Sequence, residues 1–496
     1  RCKPGDDVTV VGVLRKRWRP LQRDQRPDIE LALTAEHVRV RNEERGADRV
    51  SKELANEFES YWQRHKANPL AARDFLLRMT CPSLAGMYLV KLATLLTILG
   101  GVSHTDRSGM KVRGESHMLL VGDAGTGKSQ VLRYAAKLSP RSVLTTGIGS
   151  TAAGLTCTAV KDSSGEWMLE AGALVLADGG VCCVDEFDSI KNDERTAVLE
   201  AMEQQTISVA KAGMVCKLRT KCTVVAATNP KGGKLDRGSA LHSQTGLATP
   251  LISRFDVVLL LSDHQDPNRD KRLSSHILAS TGGGAASQQK RESLGANPGS
   301  AAAAAVASEE PWQLEKLRSY LEYVKVKMQP TLSEPAQKVL SGYYSMQRNS
   351  AERDAARSTI RMLEALVRLA QAHARLMFRP ECTVMDAVFA VVLMEGSYNS
   401  SRLLDHNFSV LRAEFVDDPD EQYKMLEQMV LNGLGVDLGP DDGGACGACD
   451  EHQQPPSSAN KRPREEEEQP FGDIDFNVGA PPPRAPAAPP AFGGFV

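Results

Sequence analysis

The chain has 496 residues, long for one compact domain, and its 60 lysines and arginines nearly balance 62 aspartates and glutamates. That balance excludes recognition of nucleic acid or membrane by bulk charge, so any such partner must be met by local patches. The longest apolar stretch, 87–102, is broken by Lys91 and several Thr and Gly and falls short of a membrane span. Residues 8–14 and 29–40 read as strands flanking a basic connection with Arg15, Lys16, Arg17, Trp18, Arg19 and Arg23. Basic residues around an aromatic suit a nucleic-acid-binding β-barrel of the oligonucleotide-binding type, and equally a solvated loop. This opening is therefore expected to be a piece of a β-domain, with the true N-terminus upstream of Arg1. From 46 to 80 the charged, helix-favouring sequence, interrupted at Asn68-Pro69, predicts a helical connector.

Strand and helix signals then alternate over 81–280, predicting an α/β core with a mainly parallel sheet. Low-complexity sequence at 281–310 predicts a flexible insertion, and 311–400 returns to helical periodicity. In that region Ile360, Leu363, Val367, Ala370, Ala374 and Met377 predict one buried helix face, leaving Arg357, Arg361, Arg368 and Arg375 on a solvated one. Residues 401–496 are expected to be a largely disordered tail. Within the tail, Cys446 and Cys449 have CxxC spacing without a second pair, and Lys461 to Arg464 reads either as a nuclear-import signal or as a plain charge run. Cys157, Cys182, Cys183, Cys216 and Cys222 fall in strand-like runs and read as small buried hydrophobes.

The chemistry is concentrated in the core. Gly122, Asp123, Ala124, Gly125, Thr126, Gly127, Lys128 and Ser129, followed by Gln130, form a phosphate-binding loop between the strand-like 117–121 and a helix expected over 128–138. In this pattern Lys128 reaches the β- and γ-phosphates of ATP and Ser129 ligates Mg²⁺. The apolar run 181–184 ends in Asp185 and Glu186, at the strand end where open α/β sheets bind ligands. Asp185 is the candidate for the metal and Glu186 for polarising the attacking water. A third run, 223–228, ends in Asn229, placed to hydrogen-bond the γ-phosphate or water, or simply to form a turn with Pro230. Arg254, in Leu-Ile-Ser-Arg-Phe-Asp ahead of strand 257–261, suits an arginine finger offered to a neighbouring subunit's ATP, or a local ion pair with Asp256. Residues 206–218 read as a hairpin whose turn carries Lys211, a candidate phosphate contact for DNA or an ordinary surface lysine.

Taken together, the sequence Gly122 to Gln130, the run 176–188 through Asp185 and Glu186, the segment 202–213 through Lys211, Ala-Ala-Thr-Asn229-Pro and Leu-Ile-Ser-Arg254-Phe-Asp resemble the minichromosome maintenance (MCM) family of AAA+ helicases in order and spacing, over about residues 1–400. The resemblance implies that residues 1–45 are part of an oligonucleotide-binding (OB) β-barrel, followed by an AAA+ ATPase core and a helical lid over 311–400, and it implies a hexameric ring with single- and double-stranded DNA as partners. It also implies that Lys211 lies on a channel hairpin, that 148–170 around Lys161 and Gly165 forms a second pore hairpin, and that Arg361 is the second sensor arginine acting on an adjacent subunit's ATP. Segments 145–156 and 357–379 and the opening 2–8 look most like the branch of the ninth member. That branch is associated with homologous-recombination repair alongside the eighth member, and the resemblance implies a nuclear protein. Two departures stand out: Ala124 replaces the Pro of most relatives without removing a phosphate ligand, and the family's upstream helical and zinc-binding modules are not in this sequence. A replicative MCM subunit, a chelatase-type AAA+ remodeller and a subunit whose ATP only cements a complex remain as alternatives.

Overall fold

The structure is a computed structural model that describes residues 2, 4–18, 29–40, 50–105, 109, 111–147, 152–161, 167–211, 213–235, 241–263, 266–281, 311–349, 358–397, 403, 415 and 418–436. Strands β1 (Val8–Trp18) and β2 (Ile29–Val40) form an antiparallel pair with a register shift at Val11/Gly12. Arg15, Lys16, Arg17 and Trp18 extend β1 and do not form the expected connection, because the ladder to β2 continues to Trp18 opposite Ile29. Arg19 and Arg23 lie outside the described residues.

Helix α1 (Lys52–Arg64) begins at Ser51, whose hydroxyl accepts from the Leu54 N–H at 3.3 Å, a side-chain N-cap. Helix α2 (Pro69–Met79) opens on a proline, which loses no hydrogen bond at that position. The connector is packed as well as linked. Phe58 and Tyr61 meet Trp312 in a cluster of rings, and the Trp62 indole donates to the Tyr320 hydroxyl at 2.8 Å. Helix α3 (Tyr88–Leu99) is buried on all sides, which accounts for its nearly unbroken apolar sequence.

After the short strands β3 (His104–Thr105) and β4 (Lys111–Val112) come β5 (Met118–Gly122), α4 (Lys128–Leu138), β6 (Ser142–Thr146), the turn α5 (Ala152–Leu155), the antiparallel pair β7 (Cys157–Lys161) and β8 (Trp167–Ala171), and α6 (Ala173–Leu176). The core continues with β9 (Val181–Asp185), α7 (Asn192–Gln204), the antiparallel β10 (Thr206–Lys211) and β11 (Met214–Arg219), and β12 (Thr223–Thr228). It ends with α8 (Leu241–Thr245), α9 (Thr249–Ile252), β13 (Val257–Leu261) and α10 (Pro267–Thr281). Five strands make one sheet in the order β13-β5-β12-β9-β6, every neighbouring pair parallel.

Alternate residues of the sheet feed two cores. Met118 and Leu120 of β5, with Cys183 and Val225, face α3, α4 and the helices that follow the core. Leu119 and Val121, with Cys182 and Val224, face α6, α7 and the β10-β11 hairpin. Burial on both faces gives each strand a continuous apolar run. Burial also pushes the Cys182 and Cys183 thiols up to about 12, as inert small hydrophobes.

The lid comprises α11 (Leu314–Lys327), β14 (Thr331–Leu332), α12 (Glu334–Asn349), α13 (Ile360–Leu376), β15 (Glu381–Cys382) and α14 (Val384–Glu395). The expected face of α13 holds in part: Ala370, Ala374 and Met377 are buried. Ile360 is exposed and Leu363 and Val367 are half-buried, whereas Met362, Ala365, Leu366, Leu369 and Leu376 line the core. Arg368 and Arg375 are buried too, contrary to a solvated basic face. Arg368 is paired with Asp256, and Arg375 donates to the carbonyls of Gly100 and Gly101 at 2.9 and 2.8 Å. Arg357 lies outside the described residues. Part of the segment expected as tail folds: α15 (Pro419–Leu434) is capped by Asp418, whose carboxylate accepts from Asp420 N–H at 3.1 Å, and packs Val430 into the core. The other residues singled out in that segment, Cys446, Cys449 and Lys461 to Arg464, fall outside the described residues.

Candidate nucleotide site and arginine face

The loop 122–129 bridges the C-terminal end of the interior strand β5 to the N-terminus of α4, so the helix N–H groups point toward whatever occupies the loop. Gly122 is required by contact: a Cβ there would lie 2.4 Å from the Leu261 carbonyl oxygen of β13. Gly127 adopts φ +85°, a left-handed conformation at the helix start that favours glycine. Lys128 is buried, and its Nζ donates to the carbonyls of Gly122 and Asp123, both at 2.7 Å. Burial pulls its ammonium below the usual value, against the opposing charges of Asp123, Asp185 and Asp188. Three carboxylates from two stretches of chain, the loop and 185–188, therefore act on this one cation.

Asp123 belongs to the loop, yet its carboxylate is committed to the scaffold. It accepts from Leu235 N–H at 2.8 Å and from Asp263 N–H at 2.9 Å, tying the loop to two neighbouring segments. Asp185 ends β9, and Glu186 follows it at φ 53°, a conformation unusual for a residue with a Cβ and one that turns the chain sharply at the site. Asn229 follows β12 on the surface. Parallel registers align the ends of β5, β9 and β12, so Lys128, Ser129, Asp185, Glu186 and Asn229 gather at one edge of the sheet. Ser129 and Asp185 supply hard oxygen donors of the kind Mg²⁺ prefers, few enough to leave room for phosphates and water. Sequence reasoning missed Asp188, which accepts from the Thr228 hydroxyl at 2.9 Å and links the acidic turn to β12. An acid three residues after Asp185 was the available signal.

Arg254 does not pair with Asp256. Its Nε donates to Glu203 Oε2 at 2.9 Å and its Nη1 to the Pro250 carbonyl at 2.7 Å, and its Nη2 also meets Glu203. Arg361 donates to the other oxygen of the same carboxylate, and its Nη1 to Ser253 Oγ at 3.3 Å. Asp256 instead accepts from Arg113 at 3.0 Å, Arg368 at 2.8 Å, Ser116 Oγ at 3.1 Å and His117 N–H at 3.0 Å. Burial would raise its carboxyl, but Arg113 and Arg368 hold it well below the usual carboxylate range. No residue of the phosphate-binding loop is among the described contacts of Arg254 or Arg361.

A family model described as the MCM P-loop domain matches residues 63–281, and one described as the MCM AAA-lid domain matches residues 315–398. The chain belongs to the MCM family. A protein of Oryza sativa subsp. indica called probable DNA helicase MCM9 is 50% identical over 420 residues, covering 85% of this chain and 60% of that protein. The protein of the same name in Arabidopsis thaliana is also 50% identical, over 85% of this chain and 62% of its own length. The Drosophila melanogaster DNA replication licensing factor Mcm2 is 35% identical over 83% of this chain and 45% of its own length. The chain thus spans about three fifths of the length of the MCM9 relatives it matches.

The MCM P-loop match begins inside α1, so the connector expected to precede the core is in part counted within it. Each of the two hairpin lysines is the last residue of a strand. Lys211 ends β10 opposite Met214, next to the turn. Lys161 ends β7 opposite Trp167, exposed, with its Nζ 5.1 Å from the Trp167 ring centre. Gly165 lies outside the described residues.

Proposed function

We propose that this MCM chain is an ATP-hydrolysing DNA helicase or translocase subunit of a hexameric ring, acting in the nucleus in homologous-recombination repair beside other MCM subunits such as the eighth member. The observation that carries the reading is the separation of two half-sites on one chain. Lys128, Asp185 and Glu186 gather at the sheet edge, while Arg254 and Arg361 present guanidinium groups whose contacts do not include that edge. Arginines so placed can serve a nucleotide only if it is held by another subunit. The 50% identity to proteins named as probable DNA helicases supports the activity and the branch.

In this reading Lys128 leaves the loop carbonyls for the β- and γ-phosphates, and the N–H groups of 125–129 cradle the remaining oxygens. Ser129 and Asp185 would hold Mg²⁺, whose charge would offset that developing on the transferred phosphoryl group. Glu186 orients and polarises the attacking water, with Asn229 fixing the water or the terminal phosphate. Arg254 and Arg361 reach the same phosphates from the adjacent subunit. Lys211 and Lys161 contact the strand in the ring's channel through phosphates, so hydrolysis at successive interfaces moves DNA.

The test is strand displacement with the wild-type chain and Lys128→Ala, together with other MCM subunits. ATP-dependent unwinding by wild type and its loss in Lys128→Ala is the expected result. ATP turnover indifferent to DNA, with no strand displaced, would sink the reading.

A further inference from the structure

We infer that Glu203 is a positioning residue for trans catalysis: its carboxylate holds Arg254 and Arg361 side by side as a substitute for the neighbour's terminal phosphate. The inference rests on the proposed role of these arginines and adds a residue to it. Two guanidinium groups repel one another, and nothing in local sequence would bring residues from α13 and from the turn after α9 together. Glu203 does so with one oxygen for each: Oε2 accepts from Arg254 and Oε1 from Arg361. Carboxylate and phosphate both offer guanidinium groups neighbouring anionic oxygens that accept charge-assisted hydrogen bonds. A pair of arginines converging on the first is therefore pre-arranged to converge on the second.

The framework beneath Glu203 is rigid, whereas the carboxylate itself is reachable. The preceding Met202 carbonyl accepts from Arg113 Nη1 at 3.1 Å and from His117 Nε2 at 3.3 Å. Arg113 Nη2 also donates to the Arg254 carbonyl at 3.1 Å and to Asp256 at 3.0 Å. One buried guanidinium thus fixes the main chain at both Glu203 and Arg254. The Glu203 side chain, in contrast, is 44% exposed and Arg361 38%, so an incoming phosphate can exchange for the carboxylate without opening the core. Burial alone would raise the Glu203 carboxyl, and Arg254 and Arg361 outweigh it, keeping the anion that both need.

The experiment mixes two full-length variants so that a single type of interface is active. One chain carries Lys128→Ala and supplies the arginines; the other carries Arg254→Ala and supplies the phosphate-binding loop. Turnover above that of either chain alone establishes the paired site; no gain overturns the ring reading and this inference with it. Glu203→Ala is then placed on the arginine donor. The expected result is a fall in kcat of about ten-fold, a fraction of the 10³ to 10⁵ attributed to a whole arginine finger, with KM for ATP within about two-fold. Glu203→Gln, which keeps an acceptor oxygen without the charge, should fall between. With the mixed site established, unchanged or raised kcat overturns the inference. So does an equal loss when Glu203→Ala sits on the loop donor instead, which would assign Glu203 to folding.

Discussion

Arg368 of the lid donates to Asp256 at 2.8 Å with both side chains 3% exposed, bolting α13 to the chain two residues after Arg254. Seven residues earlier on the same helix, Arg361 makes the far more exposed pair with Glu203. The two arginines belong to one face-to-face contact between lid and core, but water reaches only one of them. Their energetic roles should differ accordingly.

Removing Arg368 leaves the buried Asp256 to Arg113, Ser116 and the His117 N–H, so it costs a charged hydrogen bond, and a half-exposed pair is screened. Arg368→Met should therefore lower the unfolding free energy by about 1.5 to 3 kcal/mol, whereas Arg361→Met should cost less than about 1 kcal/mol. Urea unfolding of both variants checks this. Equal losses would mean that the lid is not anchored through Asp256.

The nucleotide site makes a second division, between binding and turnover. Lys128→Ala removes the cation around which Asp123, Asp185 and Asp188 converge, and should abolish tight ATP binding by equilibrium titration. Glu186→Gln keeps the side chain's shape at its left-handed position and should bind ATP normally, while turnover falls by about 10² to 10⁴. Loss of binding in Glu186→Gln would move that residue from the reaction to the scaffold.

Much of this was legible because the site is local in sequence. The helix expected over 128–138 has those bounds in the structure, and 223–228 and 257–261 are strands as their apolar runs predict. A parallel sheet buried on both faces writes itself as apolar runs, and its site residues follow at the strand ends. What could not be read is the pairing of charges across the fold. Asp256 finds its partners in Arg113 and Arg368, and Glu203 finds Arg361, through contacts no periodicity encodes. The stripe on α13 is legible only in part for the same reason: Ala370, Ala374 and Met377 are buried as their spacing predicts, but Arg368 and Arg375 are buried too, against acceptors that lie elsewhere in the chain. Helix α15 was recoverable, since Asp418, Pro419 and two acids are a helix-start signal, but it was absorbed into the composition of the sequence beyond it.

Two buried histidines set the acid limit of the fold. His117 accepts from Val224 N–H at 3.0 Å through Nδ1 and is pulled down to about 3, by burial first and then by Arg113. His373 meets Asp386 at 2.6 Å and is pulled down to about 4, burial outweighing that carboxylate. Both stay neutral in the folded chain, whereas unfolded histidines take up protons below about 6.5. Stability from these groups is complete above that value and falls with pH until the folded values are reached. Each should remove about 1.4 kcal/mol per pH unit within its window, or about 4 kcal/mol for both at about pH 5. The depressed carboxyl of Asp256 contributes nothing to this window, since its own loss begins only below the ordinary carboxylate range. Unfolding measured from about pH 7 to about pH 5 checks the slope, and His117→Gln should remove about half of it. A flat profile would contradict neutral burial.

Lys211 gives the test of DNA contact that depends least on unwinding. Its strand alternates cleanly: Ile207 and Val209 are buried and Ser208 and Ala210 are exposed, so the hairpin is held by one face and projects the other. The register sets Lys211 opposite Met214 beside the turn, at the end farthest along the hairpin from Thr206 and Arg219. If this lysine neutralises one phosphate, Lys211→Ala should weaken single-strand binding across all sequences and reduce the slope of log K against log salt by about 0.7. A contact that reads bases would instead change sequence preference, and a lysine that only solvates the turn would change neither. Titrations of oligonucleotides of two compositions at several salt concentrations separate the three outcomes. An unchanged slope would remove Lys211 from the DNA path and leave the ATPase assignment standing on Lys128 and Glu186 alone.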